Sequence, residues 1–124
     1  MKYILPIFFL ASANIANAEC LVSDIKITSM KADFVKPCDA QSCKYSLKGI
    51  GTLENNCSEP TGVKLQITGY DKSNSPVSTN EFFPAGSRDI PPGKYTFSLK
   101  YSLDYEPSIT HFTLEPVYVH KWEK

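Results

Sequence analysis

The sequence predicts an all-β fold, an antiparallel β-sandwich of six or seven strands stapled by disulfides. Three observations carry this. Apolar residues recur with period two along most of the chain, and no segment holds a helical period over three turns. Turn residues punctuate the alternation, with eight prolines and six glycines after position 18. Four cysteines, Cys20, Cys38, Cys43 and Cys57, sit in a chain of only 124 residues, a size at which covalent staples add usefully to a small core.

The first segment, MKYILPIFFLASANIANAEC, reads as a secretory signal. Lys2 supplies the positive start, Tyr3 to Ala11 the apolar stretch, and Ala16-Asn17-Ala18 the small-residue cleavage site. The apolar stretch is shorter than the ~20 residues of a membrane-spanning helix. Residues 1–18 are therefore expected to be a signal peptide, and 19–124 a single domain. Glu19, rather than a small residue, precedes Cys20, which excludes a lipoprotein site. The short positive region is of the bacterial kind, so the periplasm is the expected compartment and the medium the alternative. No second hydrophobic segment follows, so no transmembrane segment is expected in the mature chain. Its 12 basic and 13 acidic side chains give no electrostatic footprint for nucleic acid.

Four cysteines in an exported chain imply disulfides, in one of three connectivities. The strand layout favours Cys38–Cys43, clipping the turn PCDAQSC, and Cys20–Cys57, tying the N-terminus to the end of the second main strand. Loop-closure entropy gives about 2 kcal/mol for the short loop and about 4 for the long one. A redox pair would want C-x-x-C, whereas four residues separate Cys38 from Cys43. A four-cysteine zinc site would want two short knuckles, and one short spacing occurs.

The strands follow in order. Leu21, Ile25 and Ile27 share one face of the first, and Ala32 to Lys36 extends or repeats it. Tyr45, Leu47 and Leu53 mark the inward face of the second, where Gly49 and Gly51 signal a bulge or a close backbone approach. Val63, Leu65 and Ile67 form the third, and Asp71 to Pro76 reads as a turn. Val77 to Phe83 is a weaker strand. The loop through Pro91-Pro92-Gly93 leads to the strongest alternation, with Tyr95, Phe97, Leu99, Tyr101 and Leu103 all expected in the core. Phe112 and Leu114, then Val117 and Val119, form the last strand, its phase shifting by one residue at Pro116.

The runs GTLENNC (51–57), VKLQITGYDKSNSPV (63–77) and DIPPGKYTFSL (89–99) together resemble the bacterial FxLYD family of immunoglobulin-like domains. Gly51, Leu53, Asn55 and Asn56 match its G-x-V-x-N-N strand end; Tyr70 and Asp71 match its Tyr-Asp; Pro92 and Gly93 match its x-P-G loop. Ile67 stands where the family has Phe, and Gly69 where it has Leu. The match covers about half the mature chain. It implies an immunoglobulin-like sandwich in an extracytoplasmic or membrane-tethered module, and it brings no catalytic residues.

Chemistry-bearing constellations are sparse. His111 and His120 are expected as exposed surface histidines, and no metal site or cofactor is expected. No nucleophile elbow and no phosphate-cradling glycine loop occur, and Asp104 and Glu106 flank Tyr105 beside Pro107 as a turn would. Tyr105, Tyr118 and Trp122 are the candidate binding patch, because tyrosine and tryptophan are enriched at interfaces. The expected function is that of a non-catalytic binding or accessory module of the cell envelope, recognising another envelope protein or a ligand by its surface. The alternatives are a structural or assembly subunit of pilus-like kind and, behind it, a small metal-binding protein or hydrolase.

Overall fold

The computed structural model describes residues 19–36 and 44–123. Six strands follow a short 3-10 turn at Val22–Asp24: β1 (Ile25–Val35), β2 (Ser46–Asn55), β3 (Gly62–Tyr70), β4 (Pro76–Phe82), β5 (Gly93–Ser98) and β6 (His111–His120). They form two three-stranded antiparallel sheets, ordered β1-β2-β5 and β4-β3-β6. This is the order that strands A-B-E and C′-C-F take in immunoglobulin-like sandwiches. Cys20 and Cys57 are joined, with Cα atoms 5.3 Å apart, so the entry to β1 is tied to the exit of β2 within one sheet. The expected Cys38–Cys43 clip lies outside the described residues.

The core is the meeting of the two inward rows. Leu47 and Leu53 of β2 and Leu65 and Ile67 of β3 are fully buried, together with Ile90 and Leu99 from the connections. Gly51 belongs to the same inward row, and an added Cβ there would meet the Phe97 ring at 2.7 Å and Leu114 at 3.2 Å. Gly49 lies against β1, where a Cβ would sit 2.8 Å from the Cα of Ala32. Both interruptions of the inward face of β2 are thus close approaches. Ile50, between them, is exposed.

Connections are closed by their own polar groups. The β3–β4 turn is an Asp-led loop in which Asp71 Oδ1 accepts from the amides of Ser73 and Ser75 at 2.9 and 3.0 Å, with Asn74 at φ 68°. At the end of β2, the buried Asn55 donates through Nδ2 to the Ile90 carbonyl at 2.8 Å and accepts from the Cys57 amide at 2.9 Å. The Thr61–Ile90 bridge sits beside it. The expected phase shift in the last strand is present as an irregularity in the β3–β6 register, where Lys64 faces Tyr118 and Leu65 faces Pro116. Val117 is left over as the extra residue.

Three inward assignments are corrected: Leu21, Tyr101 and Tyr45, the last of which precedes β2. Leu21 does not join the first strand: the 3-10 turn that follows it leaves it exposed, and β1 instead runs unbroken through Val35 with an irregularity between Ile27 and Ser29. Tyr101 is not in the core. β5 ends at Ser98, and the amide and hydroxyl of Ser102 both donate to the Leu99 carbonyl, at 3.0 and 2.7 Å. Tyr101 takes φ 64° inside that turn and stands 71% exposed, while Leu103 returns to the core.

Candidate functional site

The three aromatic residues of the candidate patch occupy two places. Tyr118 lies on the outer face of β6, where alternation puts His120 on the same side, and their rings stack with centroids 6.1 Å apart. The His120 ring meets the edge of Trp122 at 4.6 Å, and Trp122 meets Phe83 at 5.4 Å. Register sets Lys64 of β3 opposite Tyr118; its ammonium lies 5.6 Å from that ring, 5.5 Å from the Phe83 ring and 3.3 Å from Glu81 Oε1.

Trp122 is held by the backbone that carries it. Asp89 accepts from the Trp122 amide at 2.8 Å and from the Glu123 amide at 3.1 Å, so one carboxylate grips two successive N–H groups of the tail. Lys121 adds an exposed ion pair with Glu59. Hydrogen bonding and charge in that pair hold the Glu59 carboxyl below its ordinary range and the Lys121 ammonium above its own. The indole lies half-buried against Gly62, and its Nε1 has no partner among the described residues.

Tyr105 is elsewhere. It stacks on Tyr45 with centroids 4.7 Å apart and 16° between planes, and it meets Phe34 edge-on at 5.0 Å. Phe34 in turn touches Phe112 at 5.4 Å, which fixes this group at the first residues of β6, about 20 Å along the strand from Tyr118. Tyr45 and Tyr105 remain 47% and 39% exposed, and the Lys36 ammonium lies 6.0 Å from the Tyr45 ring. Tyr45 was expected on the inward face of the second strand; it precedes β2 and is free of the sheet. It is the residue missing from the expected patch, and its position two residues after Cys43, next to the expected clip, was the available signal. Unlike Trp122, the Tyr45–Tyr105 pair projects two adjoining rings toward solvent.

Both histidines are exposed, as expected. His111 stacks on Tyr70 at 5.3 Å, and its Nε2 lies 2.7 Å from Asn74 Oδ1, so it braces the β3–β4 turn. An open recess of about 710 Å3 lies along the disulfide, with Asp24, Asn56, Glu59, His120 and Lys121 among its walls. Asp24, Cys20 and Cys57 converge there, but both sulfurs are engaged in the disulfide, so neither can serve as a thiolate ligand. No helix among the described residues is long and apolar enough to cross a membrane. Comparison with the models of protein families, with curated proteins and with solved structures finds no match.

Proposed function

We propose that this protein is an exported, non-catalytic recognition module of the bacterial cell envelope, working in the periplasm, and that it binds another envelope protein through the Tyr45–Tyr105 end of the sandwich. The observation that carries the reading is the exposed stack itself. Two tyrosines in contact at 4.7 Å, backed by Phe34 and Phe112, present a rigid amphipathic surface with little rotamer freedom left to lose. The signal-like residues 1–18 support export, and the disulfide suits an oxidising compartment. The resemblance to FxLYD-type domains supports an accessory role: Asn55, Asp71 and Gly93 all stand at the strand ends where that pattern has its turns.

The test is site-specific photo-crosslinking in cells from position 105, with position 118 as the comparison. One distinct envelope protein captured from 105, and lost in the Tyr45→Ala/Tyr105→Ala protein at an unchanged melting temperature, supports the reading. Adducts confined to position 118, or indifferent to the double substitution, overturn it.

The assembly-subunit alternative has one observation in its favour. β1 and β6 are both edge strands, and their inward residues Ile27, Met30, Phe34, Phe112 and Leu114 are only half-buried. Pro116 and the extra residue at Val117 blunt the β6 edge as protected edges are blunted, which weighs against strand addition there. A ladder of self-adducts in the same crosslinking experiment would favour assembly.

A further inference from the structure

Apart from protein recognition at Tyr45–Tyr105, and independent of it, we propose that the recess between β4 and the crossing from β5 to β6 is a binding site for a single sugar ring, a neutral pyranose. The recess measures about 210 Å3 and is lined by Ser78, Thr79, Asn80, Tyr101, Leu103 and Asp104, with Ser102 behind them. That volume lies below the roughly 300–1,000 Å3 of sites for drug-sized ligands. It suits one ring rather than a peptide or a nucleotide.

β4 supplies the floor through a break in its own pattern. Its inward row is Ser78, Asn80 and Phe82, and only Phe82 reaches the apolar core. Asn80 Nδ2 donates to the Ser102 carbonyl at 2.8 Å, which straps the crossing to β4 and leaves the amide oxygen as an acceptor. The Ser78 hydroxyl is buried and has no partner among the described residues. A buried hydroxyl without a partner is unfavourable unless something polar meets it. Asn80 remains exposed, so Ser78 is the residue of this row whose polarity packing alone does not account for.

Tyr101 forms the rim. Its left-handed backbone, φ 64°, is a conformation that a large side chain rarely takes, and it turns the ring out of the core to 71% exposure beside the recess. The Lys100 ammonium lies 5.1 Å from the ring centroid. A tyrosine face receives the apolar C–H face of a pyranose, while the Asp104 carboxylate and the Asn80 amide oxygen accept from ring hydroxyls and Ser78 Oγ exchanges a hydrogen bond with one of them. Among the described residues no cationic side chain lines the recess, and Asp104 would repel a phosphate or sulfate. A single carboxylate is too few hard ligands for a divalent cation.

The experiment is a titration of the uniformly 15N-labelled, oxidised exported protein with glucose, galactose, mannose and N-acetylglucosamine into the tens of millimolar, followed by amide shifts. The expected result is a saturable shift with at least one sugar, centred on Ser78–Asn80 and Tyr101–Asp104. Tyr101→Gly keeps the left-handed turn without its strain and should weaken binding at least roughly tenfold. Tyr101→Phe should retain binding. Ser78→Ala removes a buried unpartnered hydroxyl, so it should weaken binding several-fold while the melting temperature holds or rises, a split that a purely structural role for Ser78 would not produce. Shifts absent with all four sugars, shifts centred away from the recess, or binding unchanged in Tyr101→Gly would each overturn the proposal.

Discussion

Trp122 is seated on Gly62. A Cβ added to that glycine would lie 2.5 Å from the indole Cδ1 and 2.5 Å from the His120 carbonyl oxygen, so the missing side chain of β3 is what admits the C-terminal tail. The sheet carries β3 at its centre, and the tail closes over the end of it beside Phe83.

Gly62→Ala should therefore expel the indole rather than be absorbed, because a backbone carbonyl blocks one direction and a rigid ring the other. The expected loss is about 1–3 kcal/mol, typical of overpacking. A red shift of the fluorescence of Trp122, the single tryptophan in the chain, should accompany it. Fluorescence and stability both unchanged would show that Trp122 does not need the space.

Asn55 gives the second prediction. Its side chain is buried and satisfies the Ile90 carbonyl and the Cys57 amide at once. Asn55→Leu fills the same volume but leaves the Cys57 amide without its partner, at about 1–3 kcal/mol, and the Ile90 carbonyl with the Thr61 amide alone. Urea unfolding should show a destabilisation of more than about 2 kcal/mol. Asn55→Asp should keep the bond from the Cys57 amide, lose the bond to the Ile90 carbonyl, and fall between the two.

The distinction between the residues that sequence patterning places and those it misplaces is physical. Leu47, Leu53, Val63, Leu65 and Ile67 keep period two inside strands held on both sides, so the alternation and the burial coincide. Past the end of β5 at Ser98 alternation loses its meaning, although the Leu99 and Tyr101 amides still donate to the Gly49 and Leu47 carbonyls. Tyr101 sits in perfect phase with Tyr95, Phe97 and Leu99, yet one residue at positive φ rotates its side chain outward and hands the phase back to Leu103. Tyr45 and Leu21 err in the same way, Tyr45 one residue before β2 and Leu21 cut off from β1 by the 3-10 turn. The split of Tyr105 from Tyr118 and Trp122 was equally illegible, since nearness along the sequence says nothing about which end of β6 a connection reaches. The weak patterning of β4, by contrast, was visible: Ser78 and Asn80 interrupt its inward row and line the recess beside Tyr101.

The Cys20–Cys57 bridge closes 37 residues of chain. Removing it with paired Ser substitutions should cost up to about 4 kcal/mol in the loop-entropy picture. Because the link joins two positions of one sheet rather than the two sheets, the reduced chain should lose order first at the entry to β1 and the exit of β2. Hydrogen exchange should accelerate at Asp24 and Asn56, whose backbones pair at 3.0 Å, before it does in β3. Uniform acceleration across all six strands would mean that the bridge supports the whole core.

Two acidic residues hold the tail, and they should respond differently to substitution and pH. The Glu59–Lys121 pair is fully exposed and screened by salt, so Glu59→Gln should leave the melting temperature within error. The Glu59 carboxyl is lowered, so its contribution is present above the ordinary carboxylate range and disappears as pH falls through its folded value. The Lys121 ammonium is raised, so its contribution persists below the ordinary lysine range and disappears as pH climbs through its folded value. Between those limits the pair is in force, but weakly. Asp89 accepts from two tail amides, one of them partly buried. Asp89→Ala should free Lys121 to Glu123 and open Trp122 to acrylamide quenching at neutral pH, while Glu59→Gln leaves quenching as in the parent. Equal quenching in the two variants would show that the ion pair, not the carboxylate–amide grip, seats the indole on Gly62.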